Sequence, residues 1–376
     1  MEFDKKYIKI AIFILKQIIG RTFPNPPVVC VLVEANKTLK DHKIVSFGFT
    51  AKTGRPHAEA EAIQNVNFKK NKKYILYSTL EPCCHVGRSE SCVSRILKTK
   101  IDRVVFSIFD PDHRVNGGGE KKLKENGIRV VNGIMKNETY KLYEGYFFNR
   151  IKKRPKVILK LATSLDGKIS FQPSTRSKIT NKMCQDYLHI LRSEVDGILV
   201  GSNTVKIDDC VLNCRMLGLK KFSPIRIVLN RNLDLNMHHK IFKNCKNIRT
   251  LVFTQQDKKT KKKPYLDKKV EIISMDKKKF NLDEILRKLG DLGICNLLVE
   301  GGAKIFSSFL ESNLCDEIYI FRGNFFIGSK GQSAIDSNGV CNFSKFKFKT
   351  KKIIEFGDNK LEILEKSNNK NFFFGS

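Results

Sequence analysis

The spacing of apolar residues predicts helices and strands that alternate along the first half of the chain. Residues 7–19 place apolar side chains at helical intervals, and the proline-rich segment 22–27 ends that spacing. Short apolar runs bounded by turn residues predict strands at 28–33, 44–49, 74–78, 104–108 and 128–131. Helices are predicted between them, at 57–66, 91–98 and 120–126. This order is typical of an α/β layered domain.

The same alternation starts again after Lys152-Lys153-Arg154-Pro155, a segment with the composition of a linker. Strands are predicted at 157–161, 197–200, 225–229, 251–253, 270–273, 296–299, 318–321 and 360–364. Helices are predicted at 183–192, 282–289 and 305–310. We therefore expect a first domain over residues 1–150, a second over 151–367 and a frayed tail over 368–376.

Net charge leaves two classes of partner to compare. The chain of 376 residues carries 70 Lys and Arg against 38 Asp and Glu, a net charge of +32. Such a charge suits a nucleic acid, but the lysines form short runs, as in 258–263 and 277–279, without interleaved aromatic residues. A lysine-rich surface is the favoured interpretation, and its field would also attract a small phosphorylated substrate.

Neither a membrane span nor a secretion signal is predicted. The chain has no apolar run long enough to cross a bilayer, and residues 1–6 mix charges where a signal peptide would be basic and then apolar. The 11 cysteines are odd in number and scattered, which indicates thiols in a reducing compartment rather than a disulfide framework. We expect a cytoplasmic protein, and the sequence leaves open whether it forms a homo-oligomer.

One group of residues carries the chemistry of a zinc site. His57 and Glu59 lie in Pro-His-Ala-Glu, Cys83 follows Glu81-Pro82, and Cys92 comes nine positions later. One histidine and two cysteines fill three corners of a tetrahedron and leave the fourth for water, as catalytic zinc sites do. Glu59 is placed to move protons, and His-x-Glu followed by Pro-Cys and a further Cys is the signature of zinc nucleobase deaminases. We expect a catalytic zinc site that deaminates an amino-substituted ring.

Other interpretations of this group are kept open. His85 could complete a structural site with four protein ligands, although its place so near Cys83 disfavours this. The domain could be a scaffold stabilised by zinc without catalysis. The basic charge also permits a nucleic-acid deaminase, such as one acting on tRNA, or a basic nucleic-acid-binding protein with the same fold.

Several longer motifs resemble a known family. The first-half segments are 24–26, 56–59, 80–88 and 110–112, and the second-half segments are 160–169, 200–204, 208–215 and 299–302. In this order they resemble the bifunctional deaminase/reductase of riboflavin biosynthesis, over roughly residues 5 to 365. The resemblance implies an N-terminal cytidine-deaminase-like three-layer domain followed by a dihydrofolate-reductase-like α/β domain.

The resemblance also implies two reactions. The first domain would remove an amino group from a phosphoribosylated diaminopyrimidinone with the help of zinc. The second would use NADPH to reduce the ribosyl group of the product to a ribityl chain. No nucleic-acid or membrane partner is implied.

Site residues of the second domain follow from matching positions in the family. The positions matched to the cofactor are Ala162, Lys178, Thr204, Asp208, Gly302, Ala303, Lys304, Ile305, Phe306, Ser307 and Ser308. The positions matched to the substrate are Arg176, Arg192, Leu212, Arg215 and Glu300. The residues themselves agree in part: two glycines between a strand and a helix let an anionic ligand approach the backbone, and arginines suit a phosphate.

The chain departs from the family pattern at four places that touch these functions. Asp112 stands where an asparagine is expected in base recognition, and Cys210 replaces a proline. Arg176 replaces a serine expected to contact the substrate, and Lys178 takes the place of a tryptophan. The deaminase motif is thus intact, and the expected changes concentrate in the reductase half.

Overall fold

The structure is a computed structural model that describes residues 2–85, 90–173, 175, 177–276, 280–335 and 347–367. The chain divides into two compact units, Met1–Arg154 and Pro155–Ser376. Within the described ranges, no helix is both long and apolar enough to cross a membrane. The predicted tail at 368–376 lies outside the described residues.

The first unit is built on a five-stranded sheet. Its strands are β1 (Val29–Ala35), β2 (His42–Phe49), β3 (Lys73–Leu80), β4 (Arg103–Ile108) and β5 (Arg129–Asn132). Its helices are α1 (Glu2–Ile18), α2 (Ala58–Ile63), α3 (Cys92–Leu97), α4 (Gly118–Glu125) and α5 (Lys136–Lys152). The strand order is β2-β1-β3-β4-β5, in which β1 runs antiparallel to β2 and β3, and β3, β4 and β5 are parallel.

Helices cover both faces of this sheet. One core joins alternate strand residues such as Leu32 and Leu76 to apolar residues of α2, α3 and α4. The opposite strand residues meet α1 and α5: the Tyr77 hydroxyl donates to Asp4, and Ser107 donates to Thr139. Because side chains of a strand alternate between faces, this arrangement gives the three layers that were predicted.

The second unit is built on a nine-stranded sheet and a small two-stranded one. Its strands are β6 (Lys156–Thr163), β7 (Lys168–Ser170), β8 (Gly197–Gly201), β9 (Ile225–Leu229), β10 (Thr250–Thr254), β11 (Glu271–Ser274), β12 (Asn296–Glu300), β13 (Glu317–Arg322), β14 (Gln332–Ser333), β15 (Phe348–Phe356) and β16 (Asn359–Lys366). Its helices are α6 (Lys182–Glu194), α7 (Ser202–Asp208), α8 (Lys259–Asp267), α9 (Leu282–Asp291) and α10 (Ala303–Glu311).

The larger sheet has the order β11-β10-β9-β8-β12-β6-β13-β16-β15. Its strands from β11 to β13 are parallel, and β16 and β15 add an antiparallel edge. The chain order changes direction at β12, which is inserted between β8 and β6. In parallel sheets, the carboxyl ends of strands at such a change in direction are the usual place for a ligand.

Several elements were missed by the apolar pattern. Helix α5 spreads its aromatic residues around its circumference, so no apolar stripe marks it, and Lys152 belongs to this helix rather than to the predicted linker. Helices α7 and α8 are short and polar, and Pro264 interrupts the sequence pattern of α8. Strand β15 pairs only with β16 in the described sheet and is mostly exposed, so it lacks a buried apolar run.

Gly48 allows α2 to pack against β2. A Cβ atom at this position would lie 2.3 Å from the Ala58 oxygen and 2.5 Å from the Ala62 nitrogen, both in the backbone of α2. We predict that Gly48→Ala lowers the free energy of unfolding of the first unit by about 3 kcal/mol, at the upper end of overpacking effects. Urea unfolding measures the change. Ser46→Ala on the same strand is the control, and equal stability of the two variants would contradict the packing argument.

Candidate functional site

Three potential metal ligands converge in the first unit. His57 immediately precedes α2, Cys83 follows β3, and Cys92 begins α3. The Nδ1 atom of His57 lies 3.7 Å from Cys83 Sγ and 3.4 Å from Cys92 Sγ. All three ligand atoms lie within 4.8 Å of one another. The other ring nitrogen of His57, Nε2, lies 3.4 Å from the side-chain nitrogen Nδ2 of Asn25.

Local backbone geometry fixes the two sulfur atoms. Ser91 caps the start of α3 by accepting the Ser94 amide proton, which places Cys92 in the first turn. The Cys92 amide donates to Cys83 Sγ (3.4 Å), and the Val93 amide donates to the Cys83 carbonyl oxygen (3.1 Å). The sulfur atoms therefore stay close together through main-chain bonds that do not depend on a metal.

The donor set fits zinc. Tetrahedral zinc with bonds of about 2.0–2.3 Å separates neighbouring nitrogen and sulfur ligands by roughly 3.5 Å. The two distances from His57 Nδ1, 3.4 and 3.7 Å, agree with this separation. Hydrogen bonds from the Cys92 thiol and from His57 lower the pKa of Cys83 to about 4, and zinc binds thiolate. Among the described residues the ligand group has these three members, and His85 is not one of them.

Glu59 lies in the first turn of α2, two residues beyond His57, and its side chain is 3% exposed. Burial raises the pKa of its carboxyl group to about 7, and the negative charge of Cys83 acts in the same direction. A buried carboxyl group beside a metal-ligand set is suited to accept and release a proton.

A second buried carboxylate joins the loops around this site. Glu81 accepts hydrogen bonds from the amides of Gly117 (3.0 Å), Glu120 (3.0 Å) and Asp110 (3.4 Å). These bonds tie the segment after β3 to the segment after β4 and to the start of α4. Glu81 therefore holds the chain two residues before Cys83 against two neighbouring segments.

Asp112, the expected asparagine position, is engaged by two arginines. Its carboxylate accepts bonds from Arg114 Nε (2.8 Å) and Nη2 (2.6 Å), and Arg150 Nε lies 3.2 Å away. The bonds from Arg114 hold the pKa of Asp112 well below its usual range. This carboxylate is thus ionised and is already paired within the protein.

Helix α5 contributes polar contacts that the sequence did not predict. The Tyr143 hydroxyl lies 2.7 Å from Thr79 Oγ1 and donates to the Pro27 carbonyl oxygen (2.5 Å). The Tyr146 hydroxyl donates to Asp110 (2.9 Å). These bonds connect the helix to three segments that border the ligand group. The Tyr-x-x-Tyr spacing was the available signal, because residues three apart share a helix face.

The second unit contains a cavity of about 1270 Å³ at the carboxyl ends of its central strands. Its lining includes the ends of β6, β8, β9 and β12, and the starts of α7 and α10. This is the edge at which the chain order of the parallel sheet changes direction.

Most of the residues matched to cofactor or substrate line this cavity. They are Ala162, Lys178, Arg192, Thr204, Asp208, Leu212, Arg215, Glu300, Gly302, Ala303, Lys304, Ile305 and Ser308. Phe306 and Ser307 do not line it and are buried in the protein, because they lie on the inward face of α10. Arg176 lies outside the described residues.

An ion pair forms one wall of the cavity. Arg192 donates through Nε to Glu300 Oε1 (2.8 Å) and through Nη2 to Oε2 (2.9 Å). Burial alone would raise the pKa of Glu300, but the charges of Arg192 and Lys160 outweigh it and lower the pKa to about 2. Burial lowers the pKa of Lys160, although the Glu300 charge opposes this. The wall thus combines two buried cations with one firmly ionised carboxylate.

The paired aspartates divide their roles. Asp208 ends α7 and lines the cavity. Asp209 has a left-handed backbone (φ 43°) and turns toward another segment, where it accepts from the Lys240 amide (2.9 Å) and pairs with the Lys240 side chain (3.1 Å). Asp209 therefore fixes the turn that leaves Asp208 at the cavity.

The turn between β12 and α10 fits a dinucleotide. At Gly301, φ is 153° and a Cβ atom would lie 2.6 Å from Ile305, so the turn itself requires glycine. At Gly302 a Cβ atom would meet nothing within 4 Å, although this residue caps α10 and lines the cavity. The free space and the helix N-terminus together suit the close approach of a pyrophosphate.

Several residues that line the cavity were not among the predicted site residues. Phe280 and Arg231 belong to the lining, with the Arg231 guanidinium 5.3 Å from the Phe280 ring centre. His189 and Lys160 also belong to it. Arg231 lies two residues after the end of β9, so its place at the edge of the parallel sheet was the available signal.

Comparisons with known proteins agree with both halves of this picture. A family model described as the cytidine and deoxycytidylate deaminase zinc-binding region matches residues 1–108, and one described as the RibD C-terminal domain matches residues 155–361. The riboflavin biosynthesis protein RibD of Aquifex aeolicus is 36% identical over 357 residues, which is 95% of this chain and 97% of that protein. The corresponding protein of Actinobacillus pleuropneumoniae is 31% identical and covers 93% of each chain.

Solved structures give the same answer for the fold. RibD of Acinetobacter baumannii superposes with a TM-score of 0.86 at 27% identity, over 97% of this chain and 99% of that one. A diaminohydroxyphosphoribosylaminopyrimidine deaminase/5-amino-6-(5-phosphoribosylamino)uracil reductase from Thermotoga maritima gives a TM-score of 0.81 at 30% identity, over the same shares.

The fold and the two sites define a fused enzyme, in which a zinc-dependent deaminase precedes an NADPH-dependent reductase. The predicted fold class, cytidine-deaminase-like and then dihydrofolate-reductase-like, is confirmed. The chain belongs to the RibD family of bifunctional riboflavin biosynthesis enzymes.

The Glu81 carboxylate provides a test of how the deaminase loops are held. We predict that Glu81→Gln lowers the free energy of unfolding of the first unit by about 1–3 kcal/mol, because the new NH2 group faces backbone donors and leaves one unpaired. Urea unfolding and the zinc content of the purified protein are the measurements. Glu125→Gln, on the exposed face of α4, is the matched control. An unfolding curve for Glu81→Gln that overlays the control would contradict the assignment.

Proposed function

We propose that the first unit deaminates the phosphoribosylated diaminopyrimidine named for the Thermotoga maritima relative, with His57, Cys83 and Cys92 as zinc ligands and Glu59 as the proton carrier. The observation that carries the proposal is the three-member ligand group with buried Glu59 two residues from His57. Three protein ligands suit a catalytic rather than a structural site.

The chain's residues account for the proton movements of this reaction. When bound, zinc lowers the pKa of water so that hydroxide is available near neutral pH. Glu59 takes the proton that the water loses as oxygen bonds to the amino-bearing ring carbon. Glu59 then returns a proton to the departing nitrogen as the carbon–nitrogen bond breaks, and ammonia leaves.

We propose that the second unit reduces the ribosyl group of the deaminated product, 5-amino-6-(5-phosphoribosylamino)uracil in the name of the same relative. NADPH supplies the hydride. Support comes from the open approach at Gly302 and from the cluster of matched residues in one cavity. Lys178, which also lines the cavity, would contact the cofactor in place of the tryptophan expected there.

The substrate would be held in the same cavity by the residues matched to it. Arg215 is exposed at the cavity, and a guanidinium can make paired hydrogen bonds to the substrate phosphate. Arg192 is occupied by Glu300, so this pair would present one face to the ribosyl group instead of binding a phosphate alone. Leu212 would contact the substrate beside them, and Arg176 is proposed as a further contact from the sequence match only.

The wider setting is also proposed. We expect the enzyme to act in the cytoplasm on small phosphorylated pyrimidines, as suits its class. Whether the chain forms a homo-oligomer stays open, and sedimentation velocity of the purified chain decides it. The nucleic-acid alternative is not favoured. The relatives are riboflavin biosynthesis proteins, and the second unit matches the RibD C-terminal domain, which a nucleic-acid deaminase would not need.

Glu59 gives the sharpest test of the deaminase. We predict that Glu59→Gln releases ammonia about 10²–10⁴-fold more slowly than the unchanged enzyme, because general acid–base catalysis contributes about that much. Zinc content should stay the same, since Glu59 is not a ligand. The control is Glu61→Gln in the same helix. Ammonia release within tenfold of the unchanged enzyme would remove Glu59 from its proposed role.

Gly302 gives a test of the cofactor position. Because a Cβ atom there meets no protein atom within 4 Å, Gly302→Ala should leave the melting temperature unchanged. We predict that this substitution weakens NADPH binding at least tenfold by obstructing the close approach to the backbone. Quenching of NADPH fluorescence measures the affinity. Unaltered affinity would show that the dinucleotide does not approach this turn.

A further inference from the structure

Residues 212–215 form a short loop, here termed the substrate loop, which brings Leu212 and Arg215 to the reductase cavity. Leu212 is buried and has a left-handed backbone, with φ of 48°. A left-handed backbone brings the Cβ atom of a non-glycine residue close to the following carbonyl oxygen, so Leu212 is held away from its preferred conformation. Surrounding contacts must therefore keep the loop in this shape.

Side chains from outside the loop bind its main-chain groups one after another. Arg226 Nε donates to the Leu212 carbonyl oxygen (3.4 Å), and Arg192 Nη1 donates to that of Asn213 (3.3 Å). The Cys214 amide donates to Ser223 Oγ (3.1 Å). The Arg215 amide donates to His189 Nδ1 (3.3 Å).

Arg226 stands out among these partners. It lies in β9 and is 0% exposed. It donates to main-chain carbonyl oxygens, those of Ile241 (2.7 Å) and Lys243 (3.0 Å) besides that of Leu212. A buried charge carries a large desolvation cost, which an apolar residue would avoid. Its geometry gives it one clear task, which is to tie the substrate loop to the segment around 241–243.

His189 holds the other end of the same loop. Its ring accepts the Arg215 amide proton through Nδ1, and its carbonyl oxygen accepts a bond from the Cys214 thiol (3.1 Å). Because Nδ1 is an acceptor here, the neutral ring carries its proton on Nε2. The guanidinium of Arg215 is then steadied by the Asn213 side chain (3.4 Å).

We propose that Arg226 and His189 are positioning residues of the reductase, which hold the substrate loop so that Arg215 meets the phosphate of the substrate. This inference rests on the proposed reduction of 5-amino-6-(5-phosphoribosylamino)uracil. Neither residue needs to touch the substrate for this role. Their loss changes where Arg215 lies and leaves the dinucleotide turn at Gly301 and Gly302 as it is.

The first experiment replaces Arg226 by Met and measures NADPH oxidation with 5-amino-6-(5-phosphoribosylamino)uracil. We expect the KM for this substrate to rise at least tenfold, with the Kd for NADPH changed less than threefold and ammonia release unchanged. The matched control is Arg249→Met, a half-buried arginine just before the neighbouring strand β10 that pairs with Glu271. A KM equal to that of the control would overturn the proposal, as would equal losses of NADPH and substrate binding.

A second pair of variants guards against a folding defect in Arg226→Met. His189→Leu removes the acceptor for the Arg215 amide, and His189→Asn places a side-chain oxygen near the position of Nδ1. We expect the KM to rise about tenfold in His189→Leu, which corresponds to one lost hydrogen bond, and to recover to within threefold in His189→Asn. The same KM in both variants would contradict the positioning role.

A double-mutant cycle shows whether Arg226 acts through Arg215. If it does, Arg215→Met combined with Arg226→Met should have the KM of Arg215→Met alone, within about twofold, since interacting positions are not additive. Multiplied effects would overturn the proposal. Failure of the unchanged enzyme to oxidise NADPH with this substrate would instead overturn the proposed reduction, so the two failures are distinguishable.

Discussion

The meeting of parallel strands at one edge is the constraint on which both sites depend. In the first unit, β3 and β4 run parallel, so the segments that follow them, with Cys83 and Asp110, emerge side by side. In the second unit, β6, β12 and β8 are parallel neighbours, so Ala162, Glu300 and Gly201 reach the same cavity. Residues far apart in sequence are thereby brought together without long loops. Helices also begin at this edge, and the free backbone amides at a helix N-terminus favour an anionic group.

Buried charge is the second recurring feature. Glu81 is surrounded by backbone amides, Glu300 by Arg192 and Lys160, and Arg226 by carbonyl oxygens. If a partner of one of these groups moved away, the folded protein would lose stability, because an unpaired buried charge destabilises a protein by several kcal/mol. The same groups lie next to segments that bear proposed ligands or substrate contacts. A movement of these segments would therefore lower the stability of the protein, and this loss favours the observed geometry of both sites.

The sequence predicted those features that depend on a few neighbouring residues. It did not predict features that depend on packing between distant segments. The group of His57, Cys83 and Cys92, which the structure brings together, could be named in advance because zinc accepts few residue types and leaves a recognisable spacing. The apolar runs located most strands because the pattern of a buried strand is also contained in a few neighbouring residues. By contrast, α5 has aromatic residues on all sides, and its tyrosine hydroxyls bind partners more than 30 residues away in sequence.

Arg226 shows the same limit in the second unit. Within Ile225–Leu229 it interrupts an apolar strand, and nothing in the neighbouring letters shows that three carbonyl oxygens from other segments surround it. Phe306 and Ser307 show a limit of a different kind. A continuous stretch was matched to the cofactor, but a helix presents only some of its residues to one side, and these two are buried on the inward face of α10.

The contacts of Tyr143 can form only late during synthesis of the first unit. Its hydroxyl reaches Pro27, which precedes it by 116 positions. A ribosome therefore releases every residue of the zinc-ligand group well before it releases the tyrosine that braces the surrounding segments. A separately expressed deaminase fragment must accordingly extend through α5. A fragment that stops after β5 would contain all the proposed zinc ligands but would lack α5, one of the two helices that cover the second face of the sheet.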